Sequence, residues 1–132
     1  MRDTTRTRLA SLLLVLLVTA AVATAGSALI APATASGTTV KAVSIKSYAF
    51  NPQTITIHVG TKVKWTNGDG IIHRLASATS IKTSAKLTAM FRSGSLTKGQ
   101  SFSFTFKKKG TFFYLCIPHR AMASMHGKVI VI

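Results

Sequence analysis

Residues 53–67 read QTITIHVGTKVKWTN. Apolar side chains recur at every second position: Ile55, Ile57 and Val59 take one side, Thr54, Thr56 and His58 the other, and beyond Gly60 the alternation resumes with Val63 and Trp65. A period of two sends successive side chains to opposite faces of a pleated strand, whereas a helix needs apolar repeats at three and four. The stretch predicts two half-buried strands separated by a turn at Gly60.

The same period extends outward. Residues 41–47, KAVSIKS, alternate weakly. In SFSFTF, residues 101–106, Phe102, Phe104 and Phe106 share one face; Lys107 to Gly110 make a turn. In TFFYLC, residues 111–116, Phe112, Tyr114 and Cys116 face one way and Phe113 and Leu115 the other, and KVIVI closes the chain. Asn67-Gly68-Asp69-Gly70 is loop chemistry, rich in residues that tolerate positive φ. The Ser-, Thr- and Ala-rich run from Ala76 to Leu87 is expected to be a long loop with a helical turn or a weak edge strand, and Met90 to Gly94 to turn toward the Phe-rich strand. Short strands punctuated by turns, without a convincing amphipathic helix, define an all-β sandwich or barrel.

The first 35 residues stand apart. Arg2, Arg6 and Arg8 precede an apolar run, LASLLLVLLVTAAVATA, and small residues lead to Ala33-Thr34-Ala35. A charged start, an apolar centre and an A-x-A end are the layout of a secretory signal peptide, with the cut placed before Ser36. The alternative is an uncleaved membrane anchor, since the run approaches the ~20 residues a spanning helix needs. Both send residues 36–132 out of the cytoplasm, to the periplasm, cell surface or medium. Those 97 residues carry fourteen Lys and Arg against one acid, Asp69, a net +13. Such a field favours acidic partner proteins, and with the N-terminal segment it offers a route to membrane association. Nucleic acid is set aside, because the aromatics alternate within strands instead of standing exposed along a basic stripe. A lone carboxylate excludes paired-carboxylate catalysis.

Residues 116–128, CIPHRAMASMHGK, hold the only cysteine, two of the four histidines and two of the four methionines. A lone cysteine in an exported chain forms no internal disulfide and is a buried thiol, an intermolecular link, a reactive group or a metal ligand. A one-electron copper site is built from a thiolate, two imidazoles and a weak axial thioether. Cys116, His119 and a methionine lie in one loop, and His73, in the loop after the Val63–Thr66 strand, is the best source of the second imidazole.

Three segments, YAFNPQTITIHVGTKVKWTNGDGIIH, LTKGQSFSFTF and KGTFFYLCIPHRAMASMHGKVIV, resemble the small type 1 blue copper proteins, the cupredoxins of the plastocyanin, amicyanin and pseudoazurin group. The resemblance runs from about Val40 to Ile132. It implies a Greek-key β-sandwich over residues 36–132 that binds one copper ion and passes single electrons between redox partner proteins, with no enzymatic turnover. It also implies the ligands His73, Cys116, His119 and Met125. Met125 is favoured over Met122 because relatives place the ligand methionine two residues before a glycine, here Gly127; Met122 instead matches the spacing of amicyanin-like short loops. Asn67 corresponds to an asparagine that steadies the site loops in relatives. Arg74 departs from the Asn or Thr common after the first ligand, which leaves a backbone N–H for the thiolate. The C-terminal ligand, His119, is implied to reach the surface through Ile117, Pro118, Ala121 and Met122. His58 and His126 are expected to be bystanders. The competing function is a copper chaperone or storage protein in the same compartment.

Overall fold

The computed structural model describes residues 37–132, and the signal or anchor segment expected at residues 1–35 lies outside them. The strands are β1 (Val40–Lys46), β2 (Ala49–Asn51), β3 (Thr54–Ile57), β4 (Lys62–Asn67), β5 (Leu75–Ala78), β6 (Leu87–Arg92), β7 (Ser101–Thr105), β8 (Gly110–Cys116) and β9 (His126–Val131), with one 3-10 turn at Ala123–Met125. They form two mixed sheets, ordered β2-β1-β4-β7 and β3-β9-β8-β5-β6. β1 runs parallel to β4 and β3 parallel to β9; the remaining pairs are antiparallel. The chain crosses repeatedly between the sheets, giving the expected Greek-key sandwich.

The alternation seen in the sequence becomes the core. Val43, Ile45, Val63 and Trp65 from one sheet meet Ile55, Ile57, Tyr114, Val129 and Val131 from the other. Trp65 lies at the centre, its ring 5.2 Å from that of Tyr114 and 5.5 Å from that of Phe91. Gly127 exists for this packing: a Cβ there would overlap Cζ and Oη of Tyr114. Phe106 is buried, but Phe102 and Phe104 are half-buried because β7 is an edge strand.

Three local expectations are corrected. Val59 does not join the inward face of Ile55 and Ile57; β3 ends at Ile57, Thr61 N donates to His58 O at 3.1 Å, and this turn leaves Val59 exposed. The Ala-rich run begins with an interior strand: β5 is buried at all four positions and sits between β8 and β6. Covered on both faces, it has no polar side to alternate with. Ser77 enters this core because its hydroxyl donates to Thr88 O and Phe91 O and accepts from Phe91 N. Met90–Arg92 likewise belongs to β6, and the turn follows at Ser93.

Candidate metal centre

One end of the sandwich gathers the expected donors. β8 delivers Cys116 at its last residue, opposite Leu75 at the start of β5. His73, two residues earlier, is fixed by a two-way backbone bridge with Leu96: His73 N donates to Leu96 O at 3.1 Å, and Leu96 N to His73 O at 2.8 Å. Cys116 Sγ then lies 3.5 Å from His73 Nδ1 and 3.4 Å from His119 Nδ1. One donor atom from each of His73, Cys116 and His119 falls within 4.8 Å of the others. His73 and Cys116 are fully buried, and His119 is partly exposed.

Asn67, singled out by resemblance, ties the His73 loop to its neighbours. Its side-chain amide donates to Ile71 O at 2.7 Å and Leu96 O at 2.8 Å, and its carbonyl accepts from Asp69 N. Asp69 is the residue that sequence reasoning missed. Its carboxylate accepts from His73 Nε2 at 3.0 Å, from Ser47 N at 2.7 Å and from Tyr48 N at 3.2 Å. The first bond holds the His73 proton on Nε2 and leaves Nδ1, facing the sulfur, free to ligate. The other two stabilise an unusual turn, since Ser47 and Tyr48 have φ of 54° and 55°, a region that costs non-glycine residues. That turn places the partly exposed Tyr48 ring edge-on to His119, with centroids 5.0 Å apart. The available signal was that Asp69 is the one acid beyond residue 35, one helical-turn spacing before His73.

The Cys116–Met125 loop is a run of three-residue turns. His119 N donates to Cys116 O, Met122 N to His119 O and Met125 N to Met122 O, at 3.2, 2.9 and 3.0 Å. This explains the spacing: Cys116, His119, Met122 and Met125 occupy equivalent positions of successive turns. Their fates differ, for Met125 is 0% exposed and Met122 41%. Outside supports fix the loop. Gln53 Nε2 donates to Ala123 O at 2.8 Å and His126 O at 2.7 Å, and Ser124 Oγ to Tyr48 O at 2.6 Å. His126 is buried, with Nε2 2.7 Å from Arg120 O, so it pins the loop instead of standing idle; His58 is exposed, as expected. Arg120 in turn donates to Ala85 O at 2.6 Å, drawing the Ser- and Thr-rich loop over the site's flank.

Burial pushes the Cys116 thiol up, an effect partly offset by the N–H groups of Arg74 and His119 aimed at the sulfur; the donor from Arg74 is the one its backbone was expected to retain. Burial lowers His119, and His73 adds to this while Asp69 opposes it. Burial raises the Asp69 carboxyl, but its bonds to Ser47 N, His73 and Tyr48 N outweigh this and hold it below the ordinary value. A buried sulfur between two imidazole nitrogens, in a pocket that already supplies N–H donors to a thiolate, fits copper: soft sulfur suits Cu(I) and imidazole suits Cu(II).

The comparisons agree with this geometry. Residues 37–132 match the family described as copper binding proteins, plastocyanin/azurin family. Amicyanin of Paracoccus versutus is 34% identical over 89 residues, 67% of this chain and 62% of its own length. The chloroplastic plastocyanin of Tetradesmus obliquus is 34% identical over 114 residues, covering 85% of this chain and 77% of its own. Among solved structures, a purple cupredoxin from Nitrosopumilus maritimus superposes with a TM-score of 0.61 at 27% identity, over 69% of this chain and 98% of that one. The chain belongs to the plastocyanin/azurin family of copper-binding proteins, whose members carry electrons and are not enzymes. Its cofactor is copper.

Proposed function

We propose that this chain is an exported one-electron carrier that holds one copper ion with His73, Cys116, His119 and Met125. The observation that carries this reading is the convergence of His73, Cys116 and His119 donor atoms within 4.8 Å at the end of a braced sandwich. For the fourth ligand, the complete burial of Met125 beside an exposed Met122 supports Met125. Bound there, copper supplies a couple between Cu(I) and Cu(II). The chain's part is to keep the donors still: Asp69 holds His73, Asn67 and Leu96 hold its loop, and Gln53 and His126 hold the loop of Cys116 and His119. Fixed donors reduce the reorganisation that accompanies a change of charge. Residues 1–35 act as signal peptide or anchor, and 36–132 as the copper-binding domain.

His119, Tyr48, Met122 and the exposed Ile72 form the face through which a partner would approach. Beside it, Ile72, Arg74, Ile117 and Pro118 line a shallow, mostly apolar depression of 240 Å³. Electron-transfer encounters use small faces steered by charge, and the basic body selects an acidic partner. Absorption and EPR spectra of copper-loaded Met122→Leu and Met125→Leu test the ligand set. The Met125 change is expected to shift the spectrum and the reduction potential while the Met122 change leaves both near the parent values; the reverse pattern would transfer the role to Met122.

A further inference from the structure

β8 runs from Gly110 to Cys116, so the Lys107–Lys109 turn stands at the end of the sandwich opposite the metal centre. The chain enters the described fold at that same end. Lys62 N donates to Thr39 O at 2.9 Å, Gly60 N to Phe106 O at 2.7 Å and Phe106 N to Thr61 O at 3.1 Å, which sets residue 39 beside the strand leading into the lysine turn. Next to the turn, between edge strands β6 and β7, a cleft of 460 Å³ is lined by Met90, Phe104, Thr105 and Phe112, with Lys107 and Lys108 at its rim. The aromatics there are half-buried and the lysines exposed. Among the described residues no acidic side chain stands beside these lysines, because Asp69 is bonded to His73 at the other end.

We propose that this end is a docking face for a lipid bilayer carrying anionic headgroups. Lysine ammonium groups meet phosphates while their stems and the adjoining aromatics contact the headgroup boundary. A cluster of basic residues next to an apolar segment is the arrangement that anionic leaflets attract. The lysines and the cleft lie within residues 90–112, so the face is present whether or not a segment before residue 36 is removed. The inference rests on the reading of the chain as exported, but not on its redox role. Docked this way, the protein turns His119 away from the lipid and toward soluble partners.

The test compares binding of the full chain to vesicles of phosphatidylcholine alone and of phosphatidylcholine with phosphatidylglycerol in equal parts. Any contribution of residues 1–35, including Arg2, Arg6 and Arg8, is shared by every variant, so the comparison between variants isolates the basic face. Two triple variants lose the same charge: Lys107→Gln with Lys108→Gln and Lys109→Gln, and, elsewhere on the body, Lys46→Gln with Lys82→Gln and Lys86→Gln. The first set is expected to lose on the order of 100-fold of the phosphatidylglycerol-dependent affinity and the second less than about 10-fold, from the contribution of a single lysine near an anionic surface. Bound vesicles should also protect the amines of Lys107–Lys109, and not those of Lys82 and Lys86, from acetylation. Equal losses in the two sets, or no protection at Lys107–Lys109, would overturn the proposal. The visible spectrum of the copper-loaded variants separates this outcome from a failed metal site, since both sets should keep it unchanged.

Discussion

Asp69 connects two features that the sequence presents as unrelated: a histidine of the candidate metal centre and a turn with two residues at positive φ. Replacing it with alanine removes the acceptor that fixes the His73 proton on Nε2 and frees the turn that carries Tyr48. Loss of such a partner typically weakens metal binding by about 10- to 100-fold. Asp69→Ala is expected to show that loss in a competitive copper titration, with the fold intact by circular dichroism; unchanged affinity would contradict the role given to it. At this scale the convergence of His73, Cys116 and His119 was legible. Residue chemistry and loop spacing pointed to Cys116, His119 and His73, and resemblance supplied Asn67 and the preference for Met125. Asp69 stayed hidden because a carboxylate four residues before a histidine has no distinctive pattern until the Ser47–Tyr48 turn folds against it from 21 and 22 positions away. The part His126 plays in pinning the loop stayed hidden for a similar reason: its buried contact, the carbonyl of Arg120, is a backbone atom that no side-chain pattern announces.

Strands with one wet face were readable, and those without one were not. β3 and β4 alternate because one face meets the core, whereas β5 is covered on both faces and reads as a featureless run of small residues. The β8–β9 pair makes its own predictions. Tyr114 packs over Gly127, so Gly127→Ala forces the two strands apart or displaces the ring. A cost at the upper end of the roughly 1–3 kcal/mol range for overpacking is expected in urea unfolding. The Tyr114 hydroxyl and the Trp65 indole N–H are buried near one another without reaching hydrogen-bond geometry. Burial drives the phenol from its ordinary 10.0 up to about 12, the indole offsetting little of it. The folded state therefore favours the neutral phenol. Its contribution is fully present below pH 10 and is lost as pH rises toward 12, by about 2–3 kcal/mol for a shift of that size. Relative to Tyr114→Phe, which has no phenol to ionise, the parent protein should lose about that much stability across this interval; parallel pH profiles would contradict it.

At the scale of the whole molecule, the fold separates two jobs. One end holds the loops of the candidate metal centre and the single acid beyond residue 35, and the other carries the Lys107–Lys109 turn and the start of the described chain. A net +13 over residues 36–132 makes encounters with an acidic partner long-ranged at low salt. The second-order electron-transfer rate with such a partner should fall steeply as ionic strength rises and the screening length shortens from about 30 Å at 0.01 M to about 10 Å at 0.1 M. A rate indifferent to salt would mean that charge does not steer the encounter. The central claim is that the braced donors serve an electron carrier and not a copper store. Voltammetry of the copper-loaded protein, followed by its visible absorption, tests this most directly. A carrier gives a reversible one-electron wave, with a colour that bleaches on reduction and returns in full on reoxidation, and Cys116→Ser abolishes both. A protein that holds only colourless Cu(I), or that sheds copper on each cycle, would contradict the account.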